Sequence, residues 1–133
     1  MTVMEIHQLF AEVPVHHRLL YDTACVSGLR ANELRSLTLA HLDRDQRGVH
    51  LDAMWTKNRQ ADFQPLPLSL VEELLLFANA GYPRNLYRQH LRRKDATRRV
   101  PEHPLLFLPT SFVRMFDQDL ARAGIPNRPL VAS

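Results

Sequence analysis

Arg30 stands two residues after Gly28, which closes a stretch of helical character, so the arginine lies just past a helix stop. A planar guanidinium there could offer two parallel donors to a pair of phosphate oxygens. Glu33, three residues on, falls near it on the same helix face. Lys57 lies in the polar run from Thr56 to Asp62, with Arg59 two residues further, and its flexible stem could reach an anionic group in a groove. The densest charge is the stretch 84–99, which holds seven of the 17 Lys+Arg and one of the 14 Asp+Glu. Within it, Arg84, Arg88 and Arg92 share one face if the segment is helical, a surface suited to phosphates. Residue type alone leaves the bland alternatives open: a surface arginine, an exposed turn lysine, an ordinary helical Glu–Arg pair, and a solvated basic helix or loop.

The elements that would position these residues begin with the size of the chain. At 133 residues and 45% hydrophobic content, it can bury one sizeable core and is too short for two ordinary domains. The formal net charge of +3 is common among proteins that never meet nucleic acid, so the balance by itself decides nothing. A single cysteine, Cys25, excludes an internal disulfide, fits a reducing compartment, and reads as a small core hydrophobe. The seven histidines form no i, i+4 pair joined to carboxylates, which argues against a metal site. No basic flank precedes an apolar run at the amino terminus, and the longest apolar cluster, Leu74 to Phe77, is far too short to span a bilayer. A soluble cytoplasmic protein is the expectation.

Thr2 and Glu5 have capping-box spacing, predicting a helix from about Val3 with Ile6, Leu9 and Phe10 on one face. Pro14 ends it or opens the next, which carries Leu19, Leu20, Ala24 and Cys25 and stops at Gly28. A short helix follows over about Ala31–Leu37. The period then changes to two through Val49, Leu51, Ala53 and Trp55, a half-buried strand. Phe63 to Leu68 returns as the second arm of one β-hairpin, short or at an edge because Pro65 and Pro67 donate no hydrogen bonds. Ser69 reads as the cap of a helix ending at Gly81-Tyr82-Pro83. Leu105 to Leu108 make a short buried run, and Ser111 to Ala123 a last amphipathic helix stopped by Gly124.

The stretch SGLRANELRSLTLAHLDRDQRGVHL resembles the first conserved box of the tyrosine recombinase (phage integrase) catalytic domain. Gly28-Leu29-Arg30, Glu33-Leu34, Leu37 and Asp43 come in the family's order, followed by a hairpin with Thr56-Lys57-Asn58 and Pro65-Leu66-Pro67. Leu105-Phe107-Leu108-Pro109 stands where the family often has Leu-Phe-Pro, and Asp119-Leu120 through Ala123-Gly124-Ile125-Pro126 is similar to the helix before its second box. The likeness spans nearly the whole chain, residues 82–102 being its weakest part.

The resemblance implies a mainly α, α+β fold with one hairpin. It also implies a DNA recombinase or integrase that cuts and rejoins double-stranded DNA through a 3′-phosphotyrosine, without cofactor or metal. Arg30 would be the first catalytic arginine, Lys57 the general acid for the leaving oxygen, and Glu33 an acidic buttress. Arg59, Arg84, Arg88 and Arg92 would be DNA contacts, and other recombinase protomers would be partners. Arg30 and Lys57 are expected to approach one cleft. The family's second box and its nucleophilic tyrosine should follow Pro126, whereas the chain ends at Ser133, so 1–133 reads as a partial catalytic domain, inactive alone. His90-Leu91-Arg92-Arg93 matches the box only as a string, since it precedes the Ala-Gly-Ile-Pro helix. Tyr21, Tyr82 and Tyr87 all lie upstream of the nucleophile's place. A non-catalytic nucleic-acid-binding module, or a regulator docking on a full recombinase, is the alternative.

Overall fold

The computed structural model describes residues 2–52, 62–94 (the backbone alone over 91–94) and 102–126. Helix α1 (Val3–Glu12) starts as its sequence predicts: the Glu5 amide donates to Thr2 Oγ1 at 3.1 Å, and the Thr2 amide donates to Glu5 Oε1 at 3.0 Å. Helix α2 (Val15–Ser27) ends at Gly28, whose φ of 68° lets its amide turn back to the Ala24 carbonyl, a conformation an L side chain resists. Helix α3 (Ala31–Ser36) follows after Gly28, Leu29 and Arg30, then one 3₁₀ turn (Leu39–His41).

Strands β1 (Leu42–Asp43), β2 (Gly48–Leu51) and β3 (Asp62–Pro65) form an antiparallel sheet in the order β1-β2-β3. Leu42 faces Val49 in one pairing, and His50 faces Phe63 in the other. The sequence predicts one hairpin, and the described structure has a third strand. Two residues are too few to display a period of two, and the turn before Gly48 is built from side-chain chemistry: the Gln46 amide donates to Asp43 Oδ1 at 2.9 Å and Arg47 takes a φ of 60°. Gly48 is a steric necessity, since a Cβ would lie 2.3 Å from the Gln64 carbonyl oxygen and 2.5 Å from Phe63 Cζ. Pro65 closes β3, where its missing donor is harmless.

Helix α4 (Leu68–Asn79) starts one residue before Ser69, with Pro67 in the capping position in place of the expected serine. The Pro67 carbonyl accepts from Val71 at 3.0 Å, so the proline's fixed φ enters the helix without a side-chain cap. Gly81, at φ 79°, separates α4 from α5 (Tyr82–Lys94), and the basic run is helical to Lys94. Pro83 stands in the first turn of α5, where a helix needs no amide donor, so Tyr82-Pro83 opens a helix as well as following one. Helix α6 (Phe112–Arg122) ends at Gly124.

Leucines make most of the core, among them Leu9 of α1, Leu19 and Leu20 of α2, Leu34 of α3, and Leu70 and Leu74 of α4. Burying each of these side chains contributes about 1.5–3 kcal/mol. Leu105, Leu106 and Leu108 are buried as the sequence predicts. Backbone bonds fasten this run beside α3: the Leu39 amide donates to the His103 carbonyl at 2.9 Å, and the Leu105 amide to the Leu37 carbonyl at 3.0 Å. Cys25 is half-buried on α2, and burial pushes its thiol up. No helix among the described residues is long and apolar enough to cross a membrane.

Candidate functional site

Arg30 occupies the N-cap of α3 in extended conformation, φ −78° and ψ 161°, two residues beyond the left-handed Gly28. Between them, Leu29 packs against the core and its amide donates to Ser27 Oγ at 3.2 Å, so the junction is fixed on both sides. The Arg30 side chain is exposed. Glu33 comes near it, but its Oε1 accepts from the Arg30 backbone amide at 2.9 Å. That bond is half of a capping box and places negative charge in the first turn of α3. Among the described residues the Arg30 guanidinium has no ion pair.

Lys57 and Arg59 fall outside the described residues; β2 and β3 are the arms on either side of them. Arg84 and Arg88 are both exposed on α5, one turn apart on the same face, as the four-residue spacing requires. Arg92 lies in α5 with its side chain beyond what is described. The structure thus brings Arg30 to Glu33 and Arg84 to Arg88, with no described contact between the two pairs. His90, the first residue of the His-x-x-Arg string, is half-buried with its ring 6.0 Å from that of Phe107.

The three tyrosines have different surroundings. Tyr21 is fully buried, its hydroxyl donates to Asp119 Oδ2 at 2.5 Å, and burial together with that carboxylate pushes its phenol well above the usual range. Tyr87 is buried and accepts from the Leu108 amide at 3.1 Å. Only Tyr82 is exposed, stacked on Phe77 with ring centroids 5.3 Å apart.

Polar groups that residue type did not single out lie elsewhere. Asp119 is 1% exposed, and its Oδ2 lies 2.8 Å from His17 Nδ1 as well as accepting from Tyr21. The i, i+4 spacing of His17 and Tyr21 on α2 places both on one face, a signal present in the sequence, but their partner is 98 residues beyond Tyr21. On the sheet, His50 Nε2 lies 2.8 Å from Asp43 Oδ2 and His41 Nε2 lies 3.3 Å from Asp52 Oδ2. The imidazole bond, with the Gln46 amide, holds the Asp43 carboxyl below its ordinary range. A cleft of about 570 Å³ opens beside Thr38, Asn79 and His103, and none of the residues nominated from the sequence lines it. No group of three or more histidine, cysteine or acidic side chains among the described residues could hold a metal ion.

No protein-family model matches the chain, and no curated protein matches it.

Proposed function

We propose that this chain is part of a tyrosine-recombinase catalytic domain, holding DNA phosphate through Arg30 and through the connection between β2 and β3 that carries Lys57. The observation that supports this reading best is the junction at Gly28-Leu29-Arg30. An arginine fixed between two helix ends, with its amide capped by Glu33 and its guanidinium facing solvent, is suited to stabilising charge on a phosphodiester. In this reading Lys57 protonates the departing 5′ oxygen, and double-stranded DNA and other recombinase protomers are the partners. Glu33 acts on Arg30 through the backbone, a positioning role.

None of the three tyrosines suits the nucleophile's part. Tyr21 and Tyr87 are buried and hydrogen-bonded, and Tyr82 begins the basic helix. The 133-residue chain therefore binds DNA without cutting it. Incubation with a labelled suicide DNA substrate should give no protease-sensitive covalent adduct. With a carboxy-terminal segment carrying the family's His-x-x-Arg and tyrosine supplied in trans, an adduct should form that Arg30→Ala suppresses. An adduct on Tyr21, Tyr82 or Tyr87 sinks the reading.

The second reading is a non-catalytic nucleic-acid-binding module, favoured by the exposed Arg84 and Arg88 on α5. Binding in either case falls with salt, the slope of log K on log salt being about −0.9 per phosphate neutralised. Charge reversal separates the two. If α5 is the main contact, Arg84→Glu with Arg88→Glu abolishes binding while Arg30→Glu leaves it nearly intact.

A further inference from the structure

Helices α2 and α4 lie side by side, and a groove of about 430 Å³ opens between them at the start of α5. Val15 and Leu19 form its α2 wall; Leu76 and Phe77 line the α4 wall, and Tyr82 stands at the end. Three large apolar side chains here are left in water: Leu76 is 72% exposed, Tyr82 57% and Val15 55%. Apolar residues scattered singly over a surface need no explanation, but three around one concavity mark a place where something docks. The Tyr82 ring lies nearly parallel to Phe77, at 18°, which braces it and presents a flat aromatic face.

The groove is polarised. Arg18 on α2 is bound through its guanidinium to Glu73 on α4, a pair that ties the two walls together and uses one charge of each sign. Val15, Leu19 and Asp22 share one face of α2 by helical spacing, which sets Asp22 one turn past Leu19, just beyond the residues that line the groove. It is the surplus carboxylate of the cluster. Burial pushes its carboxyl up, with Glu73 adding to the rise and Arg18 opposing it. A carboxylate so placed favours an incoming cation, and at the other end the exposed face of Tyr82 offers a second cation a π surface.

We infer that the groove between α2 and α4 docks an amphipathic helix of a partner protein, its apolar stripe entering beside Leu76 and its flanking lysine or arginine residues meeting Asp22 at one end and the Tyr82 ring at the other. The span from Val15 to Asp22 is about 10 Å, or two helical turns, which fits anchors at i, i+4 and i+7. Anionic ligands are disfavoured by Asp22, the Glu73 charge being balanced by Arg18, so this surface is distinct in charge from the exposed arginines of α5. It stands whether or not the recombinase reading does.

The test uses the full 133-residue chain and a labelled synthetic helical peptide of about 15 residues, with leucines at i, i+4 and i+7 flanked by arginines. Its control is the same peptide with glutamates in place of the arginines. Fluorescence anisotropy should show the basic peptide binding and the acidic one not. Leu76→Gln and Asp22→Asn should each weaken binding about tenfold, the equivalent of about 1.4 kcal/mol, with unchanged circular dichroism. Tyr82→Ala should weaken it several-fold. Absence of binding, equal binding of the acidic peptide, or indifference to all three substitutions overturns the inference. So does concentration-dependent self-association in sedimentation that Leu76→Gln removes, because that assigns the groove to a second copy of the chain.

Discussion

Replacing Tyr21 by Phe removes one oxygen from the centre of the molecule and leaves the ring packing of Tyr21 against Phe116, at 5.3 Å, in place. The lost bond is the 2.5 Å donation to Asp119, a side chain almost wholly out of water. A hydrogen bond to a charged group contributes about 1.5–3 kcal/mol, and Asp119 retains His17 at 2.8 Å, so the lower part of that range, about 2 kcal/mol, applies. Asp119→Ala should cost more, about 3–5 kcal/mol, because it leaves both the phenol and the imidazole without their buried acceptor. Urea denaturation at neutral pH measures both. With an m-value of about 1.5 kcal/mol/M, Tyr21→Phe should lower the midpoint by about 1.3 M without changing m. The double substitution should cost less than the sum of the singles, since both act on one network. A Tyr21→Phe effect below about 0.5 kcal/mol, the size expected of an ordinary surface change, would refute the argument.

Arg30 and Glu33 should separate in stability: Arg30→Ala stays within about 0.5 kcal/mol of the parent, whereas Glu33→Ala loses about 0.5–1 kcal/mol in thermal unfolding because the cap on α3 is gone. Gly48→Ala should cost about 2 kcal/mol or more, through the clash with the Gln64 carbonyl, and should disrupt the β2–β3 amide signals in a proton–nitrogen NMR spectrum. For Asp43 the sign follows from a lowered folded pKa: its contribution is fully present above the ordinary carboxyl range near about 4 and is lost as pH falls through the lower folded value. His50→Ala should move the Asp43 titration, followed by carboxyl-carbon NMR, back toward the ordinary range.

Those elements whose signals are local could be read from the chain. The Thr2–Glu5 box, Gly28 as a stop, the buried leucines at 105, 106 and 108 and the α6 pattern through Phe116 and Leu120 each follow from neighbouring residues. The hairpin arms were legible for the same reason at Val49, Leu51 and Phe63, while Ala53 and Trp55 lie outside the described residues and Leu68 belongs to α4. Strand β1 was not legible, because two residues carry no periodicity. Ser69 misled as a cap since serine caps are common, whereas Pro67 enters the helix by its fixed φ. Of the candidate site, the exposure of Arg30, Arg84 and Arg88 agrees with their types, but the use of Glu33 on a backbone amide rather than a guanidinium depends on side-chain direction, which spacing does not specify. Asp119 was least legible: like the exposed Asp117 two residues before it on the same amphipathic helix, it looks like a solvent-facing charge until Tyr21 and His17 arrive from the other end of the chain.

The three-residue link between α2 and α3, Gly28-Leu29-Arg30, makes this part of the chain intolerant of length change. One residue inserted before Gly28 would turn everything after it by about 100° about the α2 axis, and one inserted at Leu29 would dissolve the spacing between the left-handed stop and the capped amide. The turn from Asp43 to Gly48 is less tightly coupled: Arg44, Asp45, Gln46 and Arg47 are exposed and the Asp43 side chain closes it, its ties outward being the Arg47 carbonyl to the Leu66 amide and the Arg44–Glu72 pair. Variation in length should therefore gather in that turn, while the junction at Arg30 can vary in residue type at Ala31 or Asn32 but not in count.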